Sequence, residues 1–296
     1  MILCKNKRSI KPEMTRIFPL VFILLWSSAF ITTKPIVDNS DPFAALAFRF
    51  FFVAIGFYLF SLFSNHSVFQ RSKHVIESFF SGVLFHGFYL GGVFFSISIG
   101  MPTSIAALIV TLQPILTNAL SGPILNEKVN RNQWIGVLLG FGGASLVIGW
   151  DIGSDIPIFG LLATLIALIA ITSSTIWQKK LSNNLPLPVS NFYQAAGGCL
   201  FHILIVIFFT NPFINFNETF LLAMSHQILL VSFGAFTILM FLIKKNSASK
   251  TVAVFFLIPP TSAFMAWIFL NEKLTTLDLI GFIIASIGVY IATRSR

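Results

Sequence analysis

Arg49 sits inside the apolar stretch 42–63. A charged side chain at the centre of a membrane helix costs about 2.5–3.5 kcal/mol unless it faces protein or water. Such a residue can hold an anion in a pathway, or it can bond helix-end carbonyls of a neighbouring segment. The residue alone leaves both roles open. Small residues, Ala45 and Gly56, share its side of a helix and suit a packed or cavity-facing stripe. His86 and Tyr89 lie three apart in another apolar run and share a helix face. Histidine changes charge near neutral pH, so His86 is a candidate proton carrier; the alternative is a neutral imidazole bonded between helices. His202 is a second intramembrane histidine, on less polar ground. Trp26 beside Ser27 falls near the middle of its run, where an aromatic and a hydroxyl suit a cavity for a partly apolar solute. Trp177, close to Lys179, reads instead as an interfacial anchor. Gln113 either donates into a cavity or satisfies carbonyls freed by Pro114.

The elements that position these residues are membrane spans. Hydrophobic residues make up 56% of the 296, with 35 phenylalanines, and charged residues only 10%, against about 25% in ordinary globular domains. Lipid has to cover part of that surface. About 20 apolar residues cross a bilayer core. The runs read as spans over 17–37, 42–63, 75–97, 102–121, 133–150, 157–179, 188–209, 220–243, 249–270 and 276–293. The first run resembles a secretory signal, but it is too long, lacks a clean cleavage site and ends in Lys34-Pro35, so it reads as an uncleaved span.

The chain also repeats itself. A shift of 145 residues places Leu125-Asn126-Glu127-Lys128 on Leu270-Asn271-Glu272-Lys273, and Pro114 on Pro259. The same shift pairs Gly136 with Gly281, Gly143 with Gly288, and Arg49 with Gln194. Gln194 keeps a hydrogen-bonding group without the charge and joins the candidates on that ground. The predicted organisation is a tail over 1–16, a first five-span unit over 17–149 and a second over 157–293. Five is odd, so the second unit inserts upside down relative to the first. Inverted repeats provide the two related conformations that alternating access requires. Pro114 and Pro259 interrupt spans at matching places, as hinges or as static kinks. Glu127 and Glu272 lie at span ends and read as caps or tethers between the halves, with coupling-ion ligands the alternative. Gly136, Gly140 and Gly143, with Gly281, Ala285, Gly288 and Ala292, form small-residue stripes for close helix packing.

The net charge of +9 does not point to nucleic acid, because the basic residues cluster between apolar runs. With ten spans, the basic residues of both tails fall on the same side as Arg71, Lys73, Lys128, Arg131, Lys179, Lys180, Lys244, Lys245 and Lys250. Lys34 and Lys273 are left on the other side. Positive charge stays in the cytoplasm, so both termini are expected there, in a multi-pass protein of the inner cell membrane. The two cysteines, Cys4 and Cys199, form no metal pattern and no disulfide framework.

Trp26-Ser27-Ser28-Ala29-Phe30, Arg49, and Pro114, Glu127 and Gly136 with their copies Pro259, Glu272 and Gly281 resemble the EamA-type members of the drug/metabolite transporter superfamily. The resemblance covers nearly the whole chain. It implies an all-α fold of ten transmembrane helices, two inverted five-helix bundles around a central cavity. It also implies movement of metabolites or amino acids, often export.

The absences narrow the function. No carboxylate falls in the middle third of a span, which favours a facilitator or exchanger over tight ion coupling. No phosphate-binding Gly-x-x-x-x-Gly-Lys loop is present, so no ATP drive is expected. A nucleophile elbow or His-Glu-x-x-His helix is also missing, so catalytic residues, metal and cofactor are all expected to be none. The expected protein is a non-enzymatic transporter of small metabolites, amino acids or related compounds, by export or exchange. A membrane channel or intramembrane enzyme is the alternative. Its partners are a small-molecule solute and membrane lipids, no nucleic acid, and at most a weak homodimer.

Overall fold

A computed structural model of the chain describes residues 12–101, 103–148, 156–270 and 275–294. In lipid no water reaches the backbone, so an apolar run closes its hydrogen bonds within itself and becomes a helix. The described residues form ten helical passes and no strand. These are α1 (Pro12–Val37), α2 (Pro42–Phe63), α3 (Ser72–Ser98), α4 (Thr103–Val110 and Gln113–Leu125) and α5 (Arg131–Ile148). The second five are α6 (Ile158–Leu181), α7 (Leu187–Phe209), α8 (Glu218–Lys245), α9 (Ala248–Ala253, Val254–Leu257 and Ile258–Leu270) and α10 (Thr276–Arg294). Among the described residues, eight helices are long and apolar enough to cross a membrane. The other two passes are α4, which is divided, and α5, which opens on the polar Arg131-Asn132-Gln133. Several helices run a turn beyond the apolar stretches, as α3 does from Ser72 and α4 does to Leu125, because backbone bonding continues into the polar flanks.

The ends follow from local chemistry. Asp41 caps α2 by accepting from the Ala44 amide at 2.8 Å, with Pro42 supplying the first turn. Asn217 does the same for α8 through the Phe220 amide at 2.8 Å. Asn126 ends α4 in the left-handed region, with φ 55°. The Glu127 carboxylate then accepts from the Ala248 amide at 2.8 Å and the Ser249 amide at 3.3 Å, so the first repeat caps a helix of the second. Its repeat mate, Glu272, lies outside the described residues.

Glycines set the contact between α5 and α10. A methyl group on Gly136 would stand 2.6 Å from the Gly288 carbonyl, and one on Gly143 would stand 2.6 Å from the Gly281 carbonyl. The backbones therefore touch, as small residues permit. The two contacts run antiparallel, and the 145-residue shift converts each into the other. Inversion is thus visible directly as a pseudo-two-fold contact.

Neither half is built of uninterrupted α-helix. A π-helical segment occupies Val83–Tyr89 of α3, and another occupies Gln227–Ala235 of α8. The shift of 145 superposes them. The chain of α4 breaks between Val110 and Gln113, immediately before Pro114, and α9 tightens to a 3-10 helix over Val254–Leu257, immediately before Ile258 and Pro259. Each half thus carries its irregular backbone at matching places, with Phe85, His86, Val231 and Ser232 turned into the bundle and Phe88, Leu229 and Leu230 outward. Long apolar side chains such as Phe51, Ile55, Leu59, Phe208 and Phe209 point outward, as the lipid-facing surface requires.

Candidate solute site between the two halves

A cavity of about 550 Å³ lies between α1, α2, α3 and α8. Ten alternating passes bring the start of α1 and the end of α10 to one end of the bundle, the tail end. The cavity runs from mid-bundle toward the opposite end, past Trp26 to Thr33 on α1, Phe85 to Ile97 on α3, and Gln227 to Phe236 on α8. Both π-helical segments contribute walls. A π turn widens the helix and turns side chains that a regular helix would direct elsewhere, which is how His86 and Tyr89 on one side face Val231 and Ser232 on the other.

Arg49 is the charged group in the wall and is 4% exposed. Its Nε donates to the Ser232 hydroxyl at 2.9 Å, and its guanidinium carbon lies 5.3 Å from the Phe50 ring centre. No acidic side chain lines the cavity among the described residues.

His86 is gripped by rings, with centroids 4.4 Å from Phe50, 4.5 Å from Phe236 and 5.3 Å from Phe85. It is 3% exposed, and neither ring nitrogen has a hydrogen-bond partner. His202 is spent elsewhere: its Nε2 donates to the His86 carbonyl at 2.9 Å, freeing that turn of α3 from needing a helical partner. Trp26 packs with Phe22, Phe85 and Phe255. Gln227 ties α8 to α1 by donating to the Ala29 carbonyl at 3.0 Å and the Thr32 hydroxyl at 2.9 Å. Its Oε1 has no partner.

The structure thus gathers Trp26, Arg49, His86 and Tyr89 into one cavity. It places the other three expected solute contacts elsewhere. Ser27 donates to the Ile258 carbonyl at 3.2 Å, bonding α1 to α9 beside the Pro259 break. Gln113 donates to the Thr175 hydroxyl at 3.0 Å, bonding α4 to α6. Gln194 lies nearer the tail end and accepts from Gln178 Nε2 at 2.8 Å. Each of the three bonds a neighbouring helix, although Gln113 Oε1 is left without a partner. Ser232 and Gln227 went unread in the sequence; the same logic that selected Arg49, a polar residue within an apolar run, selects Gln227 from 220–243.

Gln194 belongs to a second, smaller pocket of about 360 Å³ with Ser81, Gln178, Ser190 and Met240. It is the repeat-related counterpart of the Arg49 region, and the two differ in tightness. At the tail end a methyl on Gly82 would come within 2.1 Å of the Gln194 carbonyl, and one on Gly197 within 2.3 Å of the Phe79 carbonyl. Lys179 spans the same end, donating to the carbonyls of Ile243 at 3.0 Å and Asn246 at 2.5 Å. Its repeat mate, Lys34, pairs instead with Asp38 on its own helix. The tail end holds the smaller, more tightly packed space and the opposite end the larger one.

Known proteins resemble this chain in fold and in sequence. A solved crystal structure superposes with a TM-score of 0.79 at 17% sequence identity, covering 95% of this chain and 97% of its own, which establishes the fold alone. A Salmonella typhimurium protein named "Probable amino-acid metabolite efflux pump" is 22% identical over 283 residues, 92% of each chain. The Bacillus subtilis "Uncharacterized transporter YvbV" is 25% identical over 226 residues, 75% of this chain and 72% of its own. The profile of the EamA-like transporter family matches residues 15–149 and again 158–294, once for each inverted half. With a membrane-embedded cavity between two such halves, the chain belongs to the EamA-like transporter family.

Proposed function

We propose that this transporter carries small organic metabolites, amino acids or closely related compounds, across the inner cell membrane by alternating access, as an exporter or exchanger. The observation that carries the reading is the unequal pair of repeat-related spaces, the larger toward one end and the smaller toward the other. Exchanging the conformations of the two halves would close the first and open the second. The basic residues at the tail end support a cytoplasmic location for both termini. With that orientation the larger cavity faces outward. Pro114 and Pro259, beside the matched breaks, are the proposed hinges. The efflux pump named among the relatives supports the solute class.

Counterflow in proteoliposomes tests the proposal. Vesicles preloaded with unlabelled amino acids are expected to accumulate a labelled one transiently above its outside concentration. Flux without trans-stimulation would mean a channel, and would sink the alternating-access reading.

A further inference from the structure

We propose that the cavity selects its solute by a single carboxylate bound to Arg49, with an apolar body against the rings, and that it does not recognise an ammonium group. This rests on the cavity being the solute site. A purely structural Arg49 would spend its guanidinium on neighbouring carbonyls or a carboxylate. Only Nε has a protein partner, Ser232. Among the described residues neither terminal nitrogen has a hydrogen bond to protein, Arg49 lines the cavity, and no acidic residue lines it to pair with the charge. A buried charge without a counter-ion is expensive, and the fork of two terminal nitrogens matches a carboxylate bidentately. The missing counter-ion is therefore supplied by the solute.

The rest of the wall agrees. Trp26, Phe85, Phe94 and Phe236 offer rings to the apolar body of a solute. An ammonium finds no carboxylate. An organic monoanion, such as an aromatic or branched keto or hydroxy acid, meets this surface better than the zwitterionic amino acid of the same skeleton.

The test uses four compounds of one shape with the purified full chain in detergent: 3-phenylpropionate, its amide, phenethylamine and phenylalanine. Affinities come from calorimetry, and melting points are recorded with and without ligand. The acid is expected to bind about tenfold to a hundredfold tighter than amide or amine, the range of a charge-assisted hydrogen bond, and at least as tightly as phenylalanine. Arg49→Gln places at Arg49 the residue its repeat mate uses, and it should abolish that preference. Without ligand the variant should melt no lower than the parent, because it removes an unpaired buried charge. Equal binding of amine or amide, or of none of the four, would overturn the carboxylate anchor. So would an Arg49→Gln protein that melts lower while still preferring the acid. Counterflow judges the carrier reading separately: amino-acid exchange that survives alongside charge-blind binding defeats the anchor and leaves the carrier standing.

Discussion

The His86 imidazole has almost no room. Besides the rings around it, a methyl on Gly198 would stand 2.4 Å from its Cβ, so α7 reaches α3 only because residue 198 has no side chain. Gly198→Ala should therefore displace the turn that carries His86. Overpacking of this kind costs about 1–3 kcal/mol. We expect a lower melting point together with weakened solute binding, measured by thermal shift; a variant with parental values for both would show that the contact tolerates the methyl. Polar residues in apolar runs were the legible part of this site. Arg49, His86, Tyr89 and Trp26 meet at the cavity, whereas Ser27, Gln113 and Gln194 have the same signature and bond neighbouring helices. In lipid every polar group needs a partner. The sequence reveals the need, but whether a helix or a solute meets it depends on packing.

Helices were legible by a different signal. Apolar length and the spacing of basic residues place the ten passes, and prolines mark the breaks in α4 and α9. The π-helical segments left no such mark. They arise where packing shifts a turn of hydrogen bonds, and neither Val83–Tyr89 nor Gln227–Ala235 contains a proline. The matched lysines show what the repeat adds at this scale. Lys179 holds the ends of α6 and α8 together through two carbonyls, while Lys34 forms an exposed pair with Asp38. Removing Lys179 should loosen the tail end. In a Lys179→Ala protein, a cysteine introduced at Ser182 in the small pocket should react several-fold faster with a water-soluble thiol reagent. Lys34→Ala should leave that rate unchanged, since an exposed ion pair contributes about 0–1 kcal/mol and lies at the far end. Equal rates in all three proteins would deny Lys179 its role as a clasp.

At the scale of the whole molecule, the α5–α10 contact joins the halves. Two neighbouring glycines test it with nearly identical chemistry. A methyl at Gly143 would lie 2.3 Å from the Ala285 backbone nitrogen, whereas one at Gly142 would meet nothing within 4 Å. Gly143→Ala should separate the helices and lower the melting point. Gly142→Ala should leave it unchanged or raise it, because alanine is favoured over glycine in a helix by roughly 0.5–1 kcal/mol. Matching melting points would mean that the backbones are not in contact. The repeat that makes this contact was legible in the sequence, as was the inversion implied by an odd number of passes. Which stripe meets which was not, because small residues permit close approach without naming a partner.

Gly136 meets Gly288 and Gly143 meets Gly281, and exchanging the two halves leaves that pairing unchanged. A surface with this property has no need of two different genes. Copies of a single half, inserted in both directions in one membrane, could clasp each other through the same stripe. Joining two copies head to tail in one reading frame would then have raised the local concentration of a partner that already fitted. Afterwards each copy was free to drift, so that one position could hold a charge, Arg49, where its twin holds an amide, Gln194. A difference such as Arg49 against Gln194 is open to a fused pair but not to two identical copies of one half.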